Sequence, residues 1–480
     1  MKILKKIFNI LNTKNKFQIY ILIFLSLIGM ILETAGIGMV MPLLIMLTQS
    51  NSIPPEIKFI LDVFGIDLNV PQNIIIMILF MVGYFFVKFL FLLYLSLKQN
   101  SFVYKLQSQL STLLFKGYLM SPYSFHLQHN SSELIRNVIG EVNQFTGAIL
   151  ALLVFITEIF VLIGIIILLL FIEPFGALIS LLVLGSSALL FDRISKNYVK
   201  KWGFVRQDNE GIRLKNLNQG LNAYKEIKIS GTEKIFINKF ETNSLNVADM
   251  EIRSNVLSAT PRLGLEFLAV IGVFILIFIS LNQGKSFTEI VPTIGIFGVA
   301  AFRIMPSINR LINTGQVVRY HLSVILMLEK EINYFKKLRG RKNKKLITIN
   351  QIEIEDVSFR YAKSSDLILK NINFEMRKEE FVGIIGASGA GKSTFLSIIL
   401  GLLKPNKGFV KNNKQNIHKN IDDWQNIIGY VPQDVYLIDD TIENNIAFGL
   451  KSHEINKEKL KEAIEFASLN KFLNQLPNGS

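Results

Sequence analysis

The run Gly386-Ala387-Ser388-Gly389-Ala390-Gly391-Lys392-Ser393-Thr394 decides how this chain is read. Its glycines and its Lys-Ser pair have the spacing of a P-loop, with Gly386, Gly391, Lys392 and Ser393 at the four fixed positions. A run with the composition of a buried strand, Phe381-Val382-Gly383-Ile384-Ile385, leads in, and a helix-like Phe395-Leu396-Ser397-Ile398-Ile399-Leu400 leads out. Strand, loop and helix in that order let glycines turn tightly and bring bare N–H groups against phosphate at a helix N-terminus. Lys392 adds a point charge for the outer phosphates, and the Ser393 hydroxyl suits Mg²⁺. ATP with Mg²⁺ is therefore the expected cofactor, bound by Gly386, Ser388, Gly389, Gly391, Lys392, Ser393 and Thr394.

Upstream the character changes. Hydrophobic residues are 50% of the chain and crowd into its first two-thirds. Apolar runs at about 17–47, 74–97, 134–171, 175–191, 263–281 and 290–318 are each long enough to cross a bilayer. The first is too long for a signal-peptide core. Six crossings put both ends of the chain on one side. The short connections at 49–73, 172–175 and 282–289 carry only Lys58 and Lys285 as bases, whereas the long stretch 192–262 is rich in Lys and Arg. By the positive-inside tendency the N-terminus, the long loops and the phosphate-loop region are cytoplasmic.

That topology accounts for the net charge of +15 without a nucleic-acid partner. Absence of cysteine excludes disulfides and thiolate metal sites, and the five histidines are too scattered for a metal centre, so they read as solvated or structural. Residues 1–16 form a basic amphipathic segment expected on the cytoplasmic membrane face. The six-helix transmembrane domain then spans 17–335, a basic linker 336–346, and a partial nucleotide-binding domain 347–480. From Ile347 short alternating strands feed the phosphate loop, which predicts an α/β domain with a mixed sheet.

Charge inside the membrane is expensive, so it marks function by default. Arg303 and Arg310 are seven residues apart and share a helix face, Arg262 opens the fifth helix, and Lys88 lies within the second. Together they favour an anionic passenger, with Arg forks suited to phosphate. The competing reading is structural: Glu33, Glu158 and Glu266 pair with these cations.

Six membrane helices followed by this ATPase start resemble a bacterial ABC half-transporter of the exporter type. The resemblance implies that Tyr361, in Phe359-Arg360-Tyr361, stacks on adenine, and that Gln433, in Tyr430-Val431-Pro432-Gln433-Asp434, is the Q-loop residue that joins Ser393 in holding Mg²⁺. It also implies short coupling helices near Pro122–Gln128 and Gly220–Ile227, and a homodimer, since one chain carries one membrane half and one P-loop.

Within the membrane half, Leu32-Glu33-Thr34-Ala35 through Val40-Met41-Pro42, Pro261-Arg262-Leu263 with Glu266, and Phe302-Arg303-Ile304-Met305-Pro306-Ser307 with Asn309-Arg310 are similar to lipid-linked-oligosaccharide flippases of PglK type. That similarity implies an anionic polyprenyl-pyrophosphate-linked oligosaccharide flipped across the bacterial inner membrane by alternating access. Lys88, Arg262, Arg303 and Arg310 would engage the pyrophosphate.

The residues depart from the family pattern at their end. No LSGGQ signature, Walker B acidic pair or switch histidine stands in the 480 residues, so the catalytic carboxylate is unassigned. The chain reads as an incomplete form, inactive alone. The rival readings are an exporter of another lipid, a drug or a peptide, and a membrane protein that binds nucleotide without pumping.

Overall fold

The computed structural model describes residues 2–47, 71–172, 174–282, 287–338, 347–362, 365–473 and 475, with only the backbone described in parts of the membrane helices. The chain divides into two compact units, Met1–Gly340 and Arg341–Ser480.

The first unit is helical throughout its described residues. Its elements are α1 (Lys2–Ile10), α2 (Thr13–Leu47), α3 (Pro71–Met120), α4 (Tyr123–His126), α5 (Ser131–Ile135), a π-helical turn (Arg136–Glu141), α6 (Val142–Ile172), α7 (Pro174–Asn222), α8 (Tyr224–Ser230), α9 (Glu233–Asn282), α10 (Phe287–Tyr320) and α11 (Leu322–Phe335). The six long helices α2, α3, α6, α7, α9 and α10 carry the six expected apolar runs. Among the described residues, four stretches are long and apolar enough to span a bilayer: Thr13–Gly36, Ile78–Met120, Ser131–Leu168 and Glu233–Ile275. The expected spans 175–191 and 290–318 lie largely on residues whose side chains are outside the described ones, although helices run through both. Pro174 opens α7, where its missing N–H costs nothing.

Helices α3, α7 and α9 run 49–50 residues, far beyond the roughly 20 needed to span a membrane. Short helices lie where two coupling segments were expected: α4 at Tyr123–His126 and α8 at Tyr224–Ser230. Gly231, at φ +64°, ends α8 in the left-handed conformation that glycine adopts without a Cβ clash.

One correction concerns the N-terminus. The apolar face of α1 is not laid against lipid; Ile7 and Ile10 are buried, packed with Leu106, Leu110, Ile325, Leu328 and Ile332 of α3 and α11. Lys6 holds Glu329 of α11 at 2.5 Å. An amphipathic stripe reports that a face is covered, and here another helix covers it.

The second unit contains β1 (Gln351–Phe359), β2 (Leu369–Arg377), α12 (Lys392–Ile399), β3 (Lys407–Asn412), β4 (Gln415–Asn416) and short helices after them, among them α13 (Ile421–Gln425). The sheet order is β2-β1-β3-β4, with every pair antiparallel, and not the mixed sheet expected. Its inner face carries Ile352, Ile354, Val357 and Val410, which pack with Ile398 of α12 and Trp424 of α13. The Trp424 indole donates to the Ile399 carbonyl at 2.8 Å and so satisfies the end of α12.

The expected buried strand 381–385 is also corrected. It joins no sheet among the described residues, and Phe381 and Ile385 are 103% and 97% exposed. A strand of this composition is buried only when strands flank it on both sides, and none of the described strands lies beside it.

Candidate functional site

The loop and the helix after it form as expected, without the strand expected before them. Gly389 and Gly391 have φ of +82° and +90°. A Cβ at Gly391 would also stand 3.1 Å from the side chains of both Ile368 and Leu369, so sterics and backbone conformation both select glycine there. Helix α12 begins immediately after, with no side-chain cap on its first amides. Uncapped amides at a helix start, turned by two left-handed glycines, form an anion cradle.

Lys392 donates to the carbonyls of Gly386 and Ala387 at 2.7 and 2.8 Å, which lays its ammonium across the mouth of the loop. The residues present therefore fit a nucleotide phosphate chain. Ser393 is exposed at the first turn and Thr394 is buried behind it. The Tyr361 hydroxyl lies 3.2 Å from Thr394 Oγ1, so the tyrosine meets the phosphate-loop helix directly. Its ring is 36% exposed and rests edge-on against Phe359, leaving area for a base to stack. Gln433 lies on exposed irregular chain.

In the membrane unit three of the four expected cations have carboxylate partners among the described residues. Lys88 bonds Glu33 at 2.9 Å between α3 and α2, Arg262 bonds Glu266 at 3.0 Å within α9, and Arg310 on α10 bonds Glu158 on α6 at 2.7 Å. These are the acids that the structural reading named. Pairing does not remove the cations from a ligand's reach, because Arg262 and Arg310 are 72% and 63% exposed. Both line one cavity of about 300 Å³ between α9 and α10, together with Glu266, Met305, Pro306 and Asn309. Pro261 stands inside α9 one residue before Arg262 and removes a helical hydrogen bond there. Arg303 lies on α10, and its side chain is outside the described ones. Lys88 belongs to a different helix pair.

Sequence reading missed a buried polar cluster nearby. Glu141, 1% exposed, ends the π-helical turn and bonds Arg206 of α7 at 3.1 Å, with Arg136 at 3.7 Å. The signal was Glu141 flanked by Asn137 and Asn143 at the start of the run 134–171. His321, one of the five histidines read from the sequence as solvated or structural, lies between α10 and α11 and is 9% exposed. Burial, helped by the Arg206 charge, pushes its pKa down to about 3, so the imidazole is neutral. Gly203 of α7 packs so closely on the Tyr320 carbonyl at this break that a Cβ would collide with it.

With fold and loop established, the comparisons with known proteins place the chain. The family model described as the ABC transporter transmembrane region matches residues 16–286, and the one described as ABC transporter matches 369–479. This chain belongs to the ABC transporter family, as a half-transporter of the exporter type. Among its curated relatives is a protein named ATP-dependent lipid A-core flippase from Coxiella burnetii, 26% identical over 373 residues, which cover 76% of this chain and 62% of that one. A protein of the same name from Ralstonia nicotianae is 22% identical over 402 residues, 80% of this chain and 65% of that one. The chain thus spans less than two-thirds of the length of these relatives. The solved structure of a bacterial Atm1-family ABC exporter with ATP bound superposes with a TM-score of 0.74 at 16% identity, covering 97% of this chain and 79% of the other, which establishes the exporter fold.

Proposed function

We propose that the full-length protein is an ATP-driven flippase for a polyprenyl-pyrophosphate-linked oligosaccharide, working as a homodimer in the bacterial inner membrane. The observation that carries this reading is the cavity shared by Arg262 and Arg310, two guanidinium forks that stay largely exposed despite their carboxylate partners, in or beside apolar runs where charge is costly. Relatives named as lipid A-core flippases support a lipid passenger.

The residues divide the work by chemistry. Bound Mg-ATP supplies the free energy of hydrolysis. The α12 amides and Lys392 would hold its phosphates, Ser393 and Gln433 would offer oxygen ligands to the ion, and Tyr361 would stack on the base. In the membrane unit Arg262 and Arg310 exchange part of their carboxylate contact for pyrophosphate oxygens, with Arg303 one helical repeat away on α10. The isoprenoid tail remains in the bilayer. Helices α4 and α8, at the ends of the long extensions, transmit motion as rigid elements.

A second reading has its own observation. An apolar cavity of about 410 Å³ lies between α6, α7 and α10, lined by Phe155, Leu162, Leu189, Ile304 and Ile308 and edged by the Arg319–Asp192 pair. It favours an uncharged lipid or drug as passenger.

The deciding experiment reconstitutes the complete reading frame in proteoliposomes and follows a labelled polyprenyl-pyrophosphate oligosaccharide. ATP-dependent flipping that is lost in Arg303→Ala plus Arg310→Ala, with basal ATP hydrolysis mostly retained, supports the anionic site. Hydrolysis without movement of that lipid leaves an exporter of another passenger.

A further inference from the structure

Next to the guanidinium cavity is a larger one of about 770 Å³, bounded by the start of α6, the middle of α9 and the end of α10. The two share Arg262, Glu266 and Asn309 in their walls. Their chemistry differs. The larger wall is built from the carboxamides of Gln144, Asn255, Asn309 and Asn313 and the hydroxyls of Ser254 and Ser258. Its charges are Arg262, already bonded to Glu266, and the further carboxylate of Glu251, which leaves the wall with a negative excess. Phosphate, an acceptor that carries negative charge, is repelled there; the apolar side chains of Ala259, Leu263 and Val317 are interspersed among the polar groups, which suits the mixed faces of a sugar ring better than a continuous lipid tail.

Groups that donate and accept at once suit a ligand that does the same, and that ligand is a hydroxyl-rich one. The wall also has hydrogen-bonding capacity that the protein does not fill. Among the described residues, Asn309 Oδ1, the Tyr320 hydroxyl and His321 Nδ1 have no hydrogen-bond partner; these atoms lie buried just behind the wall, and Tyr320 and His321 are only 8% and 9% exposed. Groups left this way are expensive to keep, and a ligand that enters with a small shift of these side chains supplies the missing partners.

We infer that this cavity is a binding site for neutral sugar units of the passenger, contiguous with but chemically separate from the guanidinium cavity that takes the pyrophosphate. The inference rests on the flippase reading for the nature of the passenger, and adds to it the recognition of the glycan by named amides. The shared wall at Arg262 and Asn309 makes the two cavities a single path, anionic-ligand end to sugar end, matching the covalent order of a sugar on a pyrophosphate.

The test measures binding to the full-length protein in nanodiscs of two probes: polyprenyl pyrophosphate with no sugar, and the same lipid carrying a short neutral N-acetylhexosamine chain. The sugar-bearing lipid is expected to bind about tenfold more tightly, the equivalent of one or two net hydrogen bonds. Asn255→Leu combined with Asn313→Leu is expected to erase that difference while leaving the sugar-free lipid unchanged, which also certifies the variant as folded. Equal binding of the two lipids by the unaltered protein, or an undiminished preference in the double variant, overturns the sugar site and leaves the pyrophosphate reading standing. Failure of both lipids to bind the unaltered protein removes the flippase reading and this inference with it. Should the double variant bind neither lipid, the nearly isosteric Asn313→Asp decides: a weakened sugar preference supports the site, and a full one overturns it.

Discussion

Arg310 has two partners to serve, and its pairing allows the two roles to be separated. Glu158 is 5% exposed, and its second oxygen has no hydrogen bond among the described residues. Arg310→Ala therefore strands a buried carboxylate, at a cost of roughly 1–3 kcal/mol in stability. Adding Glu158→Gln removes the stranded charge, so thermal unfolding of the double variant should return most of the way to the parent value. Transport of the pyrophosphate lipid should stay impaired in both; recovery with Glu158→Gln would make Arg310 a structural residue. His321 offers a second test by titration. Its folded pKa of about 3 lies below the unfolded value of about 6.5, so the unfolded chain binds the proton first as pH falls. Its contribution is fully present above about pH 6.5 and declines towards pH 3, by on the order of 1 kcal/mol per pH unit in the steep part. Unfolding temperature followed from pH 7 to 4.5 should fall more steeply in the parent than in His321→Gln. Parallel curves would mean the imidazole is not held neutral.

Among elements, α1 and α11 form a clasp that packing explains better than charge. Ile7 is fully buried, and truncation there leaves a hole among Leu106, Ile325 and Leu328. Ile7→Ala should cost about 2–4 kcal/mol in unfolding of the detergent-solubilised protein. Lys6, 38% exposed where it meets Glu329, lies in water that screens the pair, and Lys6→Ala should cost under about 1 kcal/mol. A larger effect from Lys6 than from Ile7 would reverse the account. The amphipathic pattern of residues 2–10 was legible from the sequence, but not the surface that it covers, because lipid and protein core present the same apolar chemistry to a helix face.

At the scale of the molecule, six long helices and a chain without cysteine make the topology measurable. Lys234→Cys, at an exposed site just after α8, should react with a membrane-impermeant maleimide only from the cytoplasmic side, and Lys285→Cys only from the outer side. Labelling of both from one side would mean an even number of crossings between them, where the topology has one, and would overturn the arrangement. The length of α3, α7 and α9 belongs to this scale as well. Helices of 49–50 residues rise about 75 Å at 1.5 Å per residue, so they span the bilayer and extend well beyond it.

Apolar run length, loop charge and the spacing of Gly386, Gly391, Lys392 and Ser393 are local in the chain. They determined by themselves that this is a six-helix membrane domain joined to a phosphate-binding loop. Cation positions were legible too, as were their candidate acids. Which residues meet was not: Glu158 and Arg310 are 152 positions apart, and the sugar-sized cavity draws Gln144, Asn255 and Asn313 from three helices whose rotation no periodicity specifies. The antiparallel sheet and the exposed run 381–385 were decided at the same level, since a strand's burial depends on which strands flank it. Local chemistry can name the groups that a site uses, but only packing between distant segments can bring them within the 3 Å or so at which they act.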